Sequence, residues 1–192
     1  MTTVGRQPGA IVVAQGGGLQ PTARSAGLGR LVEAHVASFR RAGIGHIVVV
    51  WPSHVRDLPR GLGDVEVVVE TRRGAGPFDA VVTGLFALGS APALVMPISH
   101  EVVGDATLAL LLEEVADHPL ASAVLPRYGA RLGYPVALTR PGIDRLVRDA
   151  ADLDGRHDFE ALLSSWRGVY PLDVVDRSVV GPAGLCESVP AP

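Results

Sequence analysis

Short, mostly apolar runs alternate along this chain with longer stretches whose apolar residues recur at helical spacing. The runs are IVVA (11–14), HIVVVW (46–51), VEVVVE (65–70), ALVMPI (93–98) and SAVLPR (122–127). Short runs of this kind read as strands of a sheet buried on both faces. Between them, GRLVEAHVASFRRAG (29–43), PFDAVVTGLFALG (77–89) and DATLALLLEEVADH (105–118) read as helices. In the first, Leu31, His35, Val36 and Phe39 fall near helical spacing and Gly43 is the stop; in the third, Asp105 is placed to cap the N-terminus. Strands joined by helices predict an α/β fold with a mainly parallel sheet covered on both faces.

The last third is less regular. YPVALT (134–139) and VYPLDVV (169–175) read as strands, the second closing the sheet, while PGIDRLVRDA (141–150) and DFEALLSSW (158–166) read as helices, the former opening on proline. Residues 178–192, rich in Gly and Pro, are expected to form a loosely ordered tail. The length predicts one domain over 1–192, and no internal repeat is visible.

Composition narrows the function. Hydrophobic residues make up 47% and aromatics 5%, so the core is expected to be built from Val, Leu and Ala. The formal charge is −3, and every basic residue other than His is Arg. That balance offers no general attraction to nucleic acid or an acidic membrane, although guanidinium groups remain good phosphate ligands. Cys186 is the one cysteine, which excludes an internal disulfide and a cysteine metal cage and fits a reducing cytoplasm. No apolar stretch approaches the roughly 20 residues of a membrane span, and the N-terminus lacks a signal-type run, so neither a membrane nor export is expected.

The first strand runs into VVAQGGGLQPTAR (12–24). Glycines there let backbone amides approach phosphate oxygens closely. The stretch has neither dinucleotide-fingerprint spacing nor the Lys-Ser/Thr ending of a P-loop. Two readings stay open for Gly16, Gly17 and Gly18: a tight turn, or an anion-binding loop.

VVAQGGGLQP resembles the LAAGxSxRMG opening, followed by lysine, of the MobA-like nucleotidyltransferases, which include the cytidylyl- and guanylyltransferases of molybdenum cofactor maturation. Gln15 falls at its second alanine and Gln20 at its arginine. GLGRLVEAHVASFRRAGIGHIVVVW is similar to GxPLLExxLxxLxxAGxxxVVVV, and GPFDAVVTGLFAL (76–88) to GMxxSLxxGLxAL, with Asp79 and Ala80 near the serine positions. ALVMPISHEVVGDATLALLLEEV (93–115) resembles LVMPxDxPLVxxxTLxxLL, and YGARLGYPVALTR (128–140) resembles GxxGHPVLF. Together these span most of residues 10–166. The resemblance implies a three-layer GT-A-type fold with a mixed, mainly parallel sheet.

It also implies a chemistry: a nucleoside triphosphate, CTP or GTP, whose phosphates are bridged by Mg2+ on aspartates while basic groups of the glycine loop offset charge. Here Ser99 stands at the metal-binding aspartate and Glu101 at the proline that follows, leaving Glu101 as either a metal ligand and catalytic group or a solvated acid. Gln20 replaces a guanidinium; Arg24, near the missing lysine, and Arg72 with Arg73 are the cations placed to meet phosphate, or else are simply solvated. Tyr134 takes the histidine of GHP, to stack on a ligand ring or to pack beneath its loop, and His100 is the most site-like histidine by position. The later DxDTPED segment has no match in 178–190, so a second metal ligand must come from Asp173 or Asp176.

Two main functions follow. The first is a non-catalytic or strongly divergent homologue, a binding or partner protein with a protein partner or homo-oligomer. The second is an active Mg2+-dependent enzyme moving a nucleotide onto a phosphorylated cofactor precursor or other phosphorylated small molecule. A third, an unrelated α/β enzyme, requires a sheet order other than GT-A or one without an antiparallel strand among parallel ones.

Overall fold

A computed structural model describes residues 7–14, 25–55, 62–71, 76–89, 92–152 and 159–180. In chain order the elements are β1 (Gly9–Val13), α1 (Ser25–Arg41), β2 (His46–Pro52), β3 (Glu66–Glu70), α2 (Pro77–Leu88), β4 (Ala93–Pro97) and α3 (Asp105–Asp117). There follow β5 (Ala123–Tyr128), β6 (Arg131–Leu132), β7 (Val136–Leu138), α4 (Arg140–Asp152), α5 (Phe159–Ser165) and β8 (Val169–Asp173), then a 3-10 turn at Arg177–Val179.

One sheet runs β3-β2-β1-β4-β7-β5, with β6 and β8 both paired to β5. The β1–β2, β1–β4 and β2–β3 ladders are parallel, whereas β7 is antiparallel to β4 and to β5. A single antiparallel strand thus sits among parallel ones. β8 pairs β5 in parallel along Ala123 to Arg127, so β6 and β7, which pair with those same β5 residues, lie together on its other edge. They are two pieces of one interrupted strand. The interruption, which the YPVALT pattern does not reveal, is filled by Val179: its carbonyl oxygen accepts from Tyr134 N–H at 2.8 Å, and a Cβ on Gly133 would overlap it.

The inner strands are buried on both faces because they are apolar on both: β1 reads buried throughout, β2 from Ile47 onward, and β4 and β7 nearly throughout. β3 and β8 at the sheet's edges are mostly exposed or half-buried, which corrects the burial expected of VEVVVE. α2 lies so close on the sheet that a Cβ on Gly84 would meet Ile11 and Val50, and it neighbours α4; α1 and α3 form the opposite layer. In α1 the apolar face is Leu28, Val32, Val36 and Phe39, with His35 among them, and the helix begins a turn earlier than the periodicity predicts. Leu31, expected on that face, is instead exposed: the 28/32/36 spacing aims the helix inward a quarter-turn away from it. No described helix is long and apolar enough to cross a membrane.

Candidate functional site

Because β1 to β4, β5 and β8 run the same way, their carboxyl ends share one edge of the fold, and antiparallel β7 brings its N-terminal end to the same place. Open α/β sheets take ligands at this edge. The 98–104 loop leaves β4 there, and Ile98 N–H extends the β1 ladder by donating to Val13 O at 3.0 Å. The loop therefore lies beside the point where β1 enters the glycine stretch.

Within it, Ser99 and Glu101 are exposed, while His100 turns inward. The His100 ring meets Tyr134 edge-on, centroids 4.5 Å apart, and the Tyr134 hydroxyl donates to Glu160 Oε1 at 3.2 Å. Tyr134 is only 2% exposed, which supports packing beneath the loop over stacking on a ligand ring. Behind His100 lies His35 of α1, its ring beside the backbone of His100 and Ile98. Burial, only partly offset by the nearby backbone, holds the His35 pKa below its ordinary value; burial and the neighbouring His35 push His100 down to about 4. Both rings are neutral at pH 7, and each leaves a buried Nε2 without a hydrogen-bond partner among the described residues.

The two aspartates near the end of the chain are both engaged. Asp173 grips Arg127 in a forked pair, with Nε to Oδ1 at 2.6 Å and Nη2 to Oδ2 at 2.8 Å, and this guanidinium holds its carboxyl below the usual range. Asp176 Oδ2 accepts from Gly104 N–H at 3.0 Å and Thr107 Oγ1 at 3.1 Å, and Oδ1 from Ser178 N–H at 3.0 Å and Oγ at 2.6 Å. Asp176 thus caps α3 from 72 residues away in sequence. Gly104, the N-cap, has no side chain to do so. The capping role expected of Asp105 is corrected accordingly: Asp105 is the first residue of the helix, and its carboxylate bonds Arg41 Nε at 2.9 Å.

Gly16, Gly17, Gly18, Gln20, Arg24, Arg72, Arg73 and Cys186 lie outside the described residues, as does the tail from 181. Among the described residues no three of His, Cys, Asp and Glu cluster to hold a metal ion. A magnesium ion wants several carboxylate or carbonyl oxygens converging on one point. The described donors do not fit one: Ser99 brings a hydroxyl, Glu101 stands exposed, and Asp176 already receives two donors on each oxygen.

Two further carboxylates, Glu70 and Asp79, are buried. Glu70, at the carboxyl end of β3, accepts the Thr83 hydroxyl at 2.5 Å, and Asp79 accepts the Gly76 N–H at 3.0 Å in a capping box on α2. Their signal was an acid ending an apolar strand and an acid two residues into a proline-led helix.

The mixed sheet, with antiparallel β7 set between parallel β4 and β5, defines a nucleotidyltransferase-like α/β fold of the GT-A type. A nucleotidyl transferase from Methanothermobacter superposes with a TM-score of 0.68 at 22% identity, over 93% of this chain and 92% of that one. The 2-C-methyl-D-erythritol 4-phosphate cytidylyltransferase of Thermus thermophilus does so with 0.63 at 17% identity, over 92% and 93%. Rv0371c of Mycobacterium tuberculosis H37Rv, in complex with manganese, gives 0.64 at 22% identity, over 88% and 89%. At such identities the likeness is one of fold. Residues 15–168, well over half of the chain, match the MobA-like NTP transferase domain, and the chain belongs to that family. No curated protein sequence matches it.

Proposed function

We propose that this chain is a strongly divergent MobA-like homologue, one domain over 1–192, that acts in the cytoplasm by binding a nucleotide, a phosphorylated small molecule or a protein partner without metal-dependent catalysis. The observation that carries the reading is how the late aspartates are used. Asp173 is matched by Arg127 and Asp176 is filled by four donors. Asp176 reaches a cation only by giving up some of those bonds, Asp173 has its charge already offset by Arg127, and Ser99 supplies no charge in their place. Fold and activity are separable, so membership of the family does not restore a missing donor set.

One observation favours the alternative, an active Mg2+-dependent transferase using CTP or GTP. Glu101 stands exposed in the loop after β4, and none of the described hydrogen bonds or ion pairs engages it.

The test is titration of metal-stripped protein with CTP, GTP, ATP and UTP, with and without magnesium, by calorimetry and thermal shift. Binding that magnesium does not strengthen and that Glu101→Ala leaves unchanged is expected. Magnesium-dependent binding of one triphosphate, weakened by Glu101→Ala, overturns the non-catalytic reading and directs the search to an acceptor.

A further inference from the structure

One strip of α1 holds the backbone of the 98–104 loop at successive points. His35 lies buried behind the backbone of Ile98 and His100, Ser38 Oγ donates to Val103 O at 2.7 Å, and Arg41 Nε reaches Asp105 Oδ2 at 2.9 Å just beyond the loop. Positions 35, 38 and 41 recur every three residues, which keeps them along one side of a helix. His35 and Ser38 are 1% and 2% exposed, so neither touches a ligand in solvent. A polar side chain buried in an otherwise apolar helix face is costly unless its bonds are made; Ser38 makes its bond to loop backbone, while His35 packs against that backbone with its Nε2 unpartnered among the described residues. Nothing else in the packing of α1 requires a histidine and a serine there: Val32, Val36 and Phe39 already supply its apolar contact.

We propose that His35 and Ser38 are positioning residues: they set the path of the 98–104 loop, and through it the stance of Ser99 and Glu101 toward whatever nucleotide binds at this edge. The inference rests on the reading that this edge is the ligand site. Acting through backbone, the two residues leave the loop's outward side chains open to change while its course stays the same. Affinity at the edge is in this way governed from a helix that makes no contact with the ligand.

The test compares the full chain with Ser38→Ala, His35→Leu, His35→Gln and Val115→Ala, a core truncation near the far end of α3. Hydrogen exchange is followed in peptides covering 98–104 and in peptides covering β1, and CTP and GTP affinities are measured alongside Tm. Loss of one buried bond predicts roughly three- to tenfold faster exchange in 98–104 for Ser38→Ala, with β1 little changed. His35→Gln, which keeps a donor, is expected to lie closer to the parent than His35→Leu, and triphosphate affinity is expected to fall in step with loop exchange. Val115→Ala is expected to lower Tm while leaving loop and affinity alone. The proposal is overturned if Ser38→Ala loosens 98–104 no more than Val115→Ala does, or if His35→Gln rescues nothing. A parent that binds neither triphosphate defeats the nucleotide reading separately, while the exchange comparison still decides whether the strip positions the loop.

Discussion

Two segments meet at the carboxyl edge of the sheet, and they are fastened in opposite ways. The 98–104 loop is held mainly by its backbone: Ile98 and Gly104 through their amides, and Val103 through its carbonyl. Its side chains at Ser99 and Glu101 remain exposed. The 174–180 segment is held largely by a side chain, Asp176, with the Val179 carbonyl closing the gap before β7. A segment fastened by backbone tolerates replacement of its side chains, whereas one fastened by a carboxylate cannot lose it without losing the joint. An aspartate near the place where the family puts a metal ligand is therefore no sign, by itself, of a metal.

The largest expected effect comes from Gly133→Ala. Its new Cβ would overlap the Val179 carbonyl, which is backbone and cannot swing aside, so the 174–180 segment must shift. Overpacking of this kind costs about 3 kcal/mol, read by urea denaturation. A variant as stable as the parent would mean that Val179 does not seal the interrupted strand.

Asp176→Ala comes next. It leaves the Gly104 amide and the Thr107 hydroxyl without their acceptor and uncaps α3, at about 2 kcal/mol, again by urea denaturation. Because Gly104 belongs to the 98–104 loop, triphosphate affinity is expected to fall only as far as that loop loosens, with its magnesium dependence unchanged. A variant with full stability and altered magnesium dependence would reverse the contrast between the two segments and make Asp176 a ligand.

The third effect is a pH dependence carried by the histidines behind the loop, absent at neutral pH and growing only on acidification. Both have folded pKa values below the ordinary 6.5, that of His100 falling to about 4, burial being the main cause. From 6.5 downward the unfolded chain takes up protons that the folded chain refuses, so stability drops as pH falls through that window and is flat with respect to these groups above it. Asp105 and Asp173, lowered by their arginine partners, lose their contribution only below their ordinary 3.8, which keeps the two windows apart. His100→Asn is expected to flatten part of the slope in Tm between pH 6.5 and 4, with His35 carrying the rest. An unchanged slope would place the titrating group elsewhere than behind the loop.

Much of the architecture is legible in the chain because short apolar runs and helical spacing are local patterns. β1, β2, β4 and the three long helices fall within a few residues of their predicted bounds, and VYPLDVV does close the sheet as β8. What fails to show is whatever depends on a partner far along the chain. The split of 131–138 into β6 and β7 is set by Val179, and the exposure of Leu31 by how α1 rotates onto the sheet. Of the candidate site, the sequence identifies Ser99, Glu101, Tyr134, Asp173 and Asp176 as polar groups near strand ends but not what each one bonds. His35 reads there as one more residue on a helical face, since a histidine's partners leave no mark on its own periodicity.

The sequence by itself determined the alternation of strands and helices and the burial of the inner strands on both faces, because both are carried by residue type and short-range spacing; that Ser99 stands where the family has an acid came from the resemblance. Only the tertiary structure decided that Asp176 caps a helix 72 residues away, that Asp173 is matched to Arg127, and that Ser38 grips a loop. Those outcomes depend on which donor the fold brings within about 3 Å of which acceptor, a distance that hydrogen bonding requires and that sequence separation does not encode.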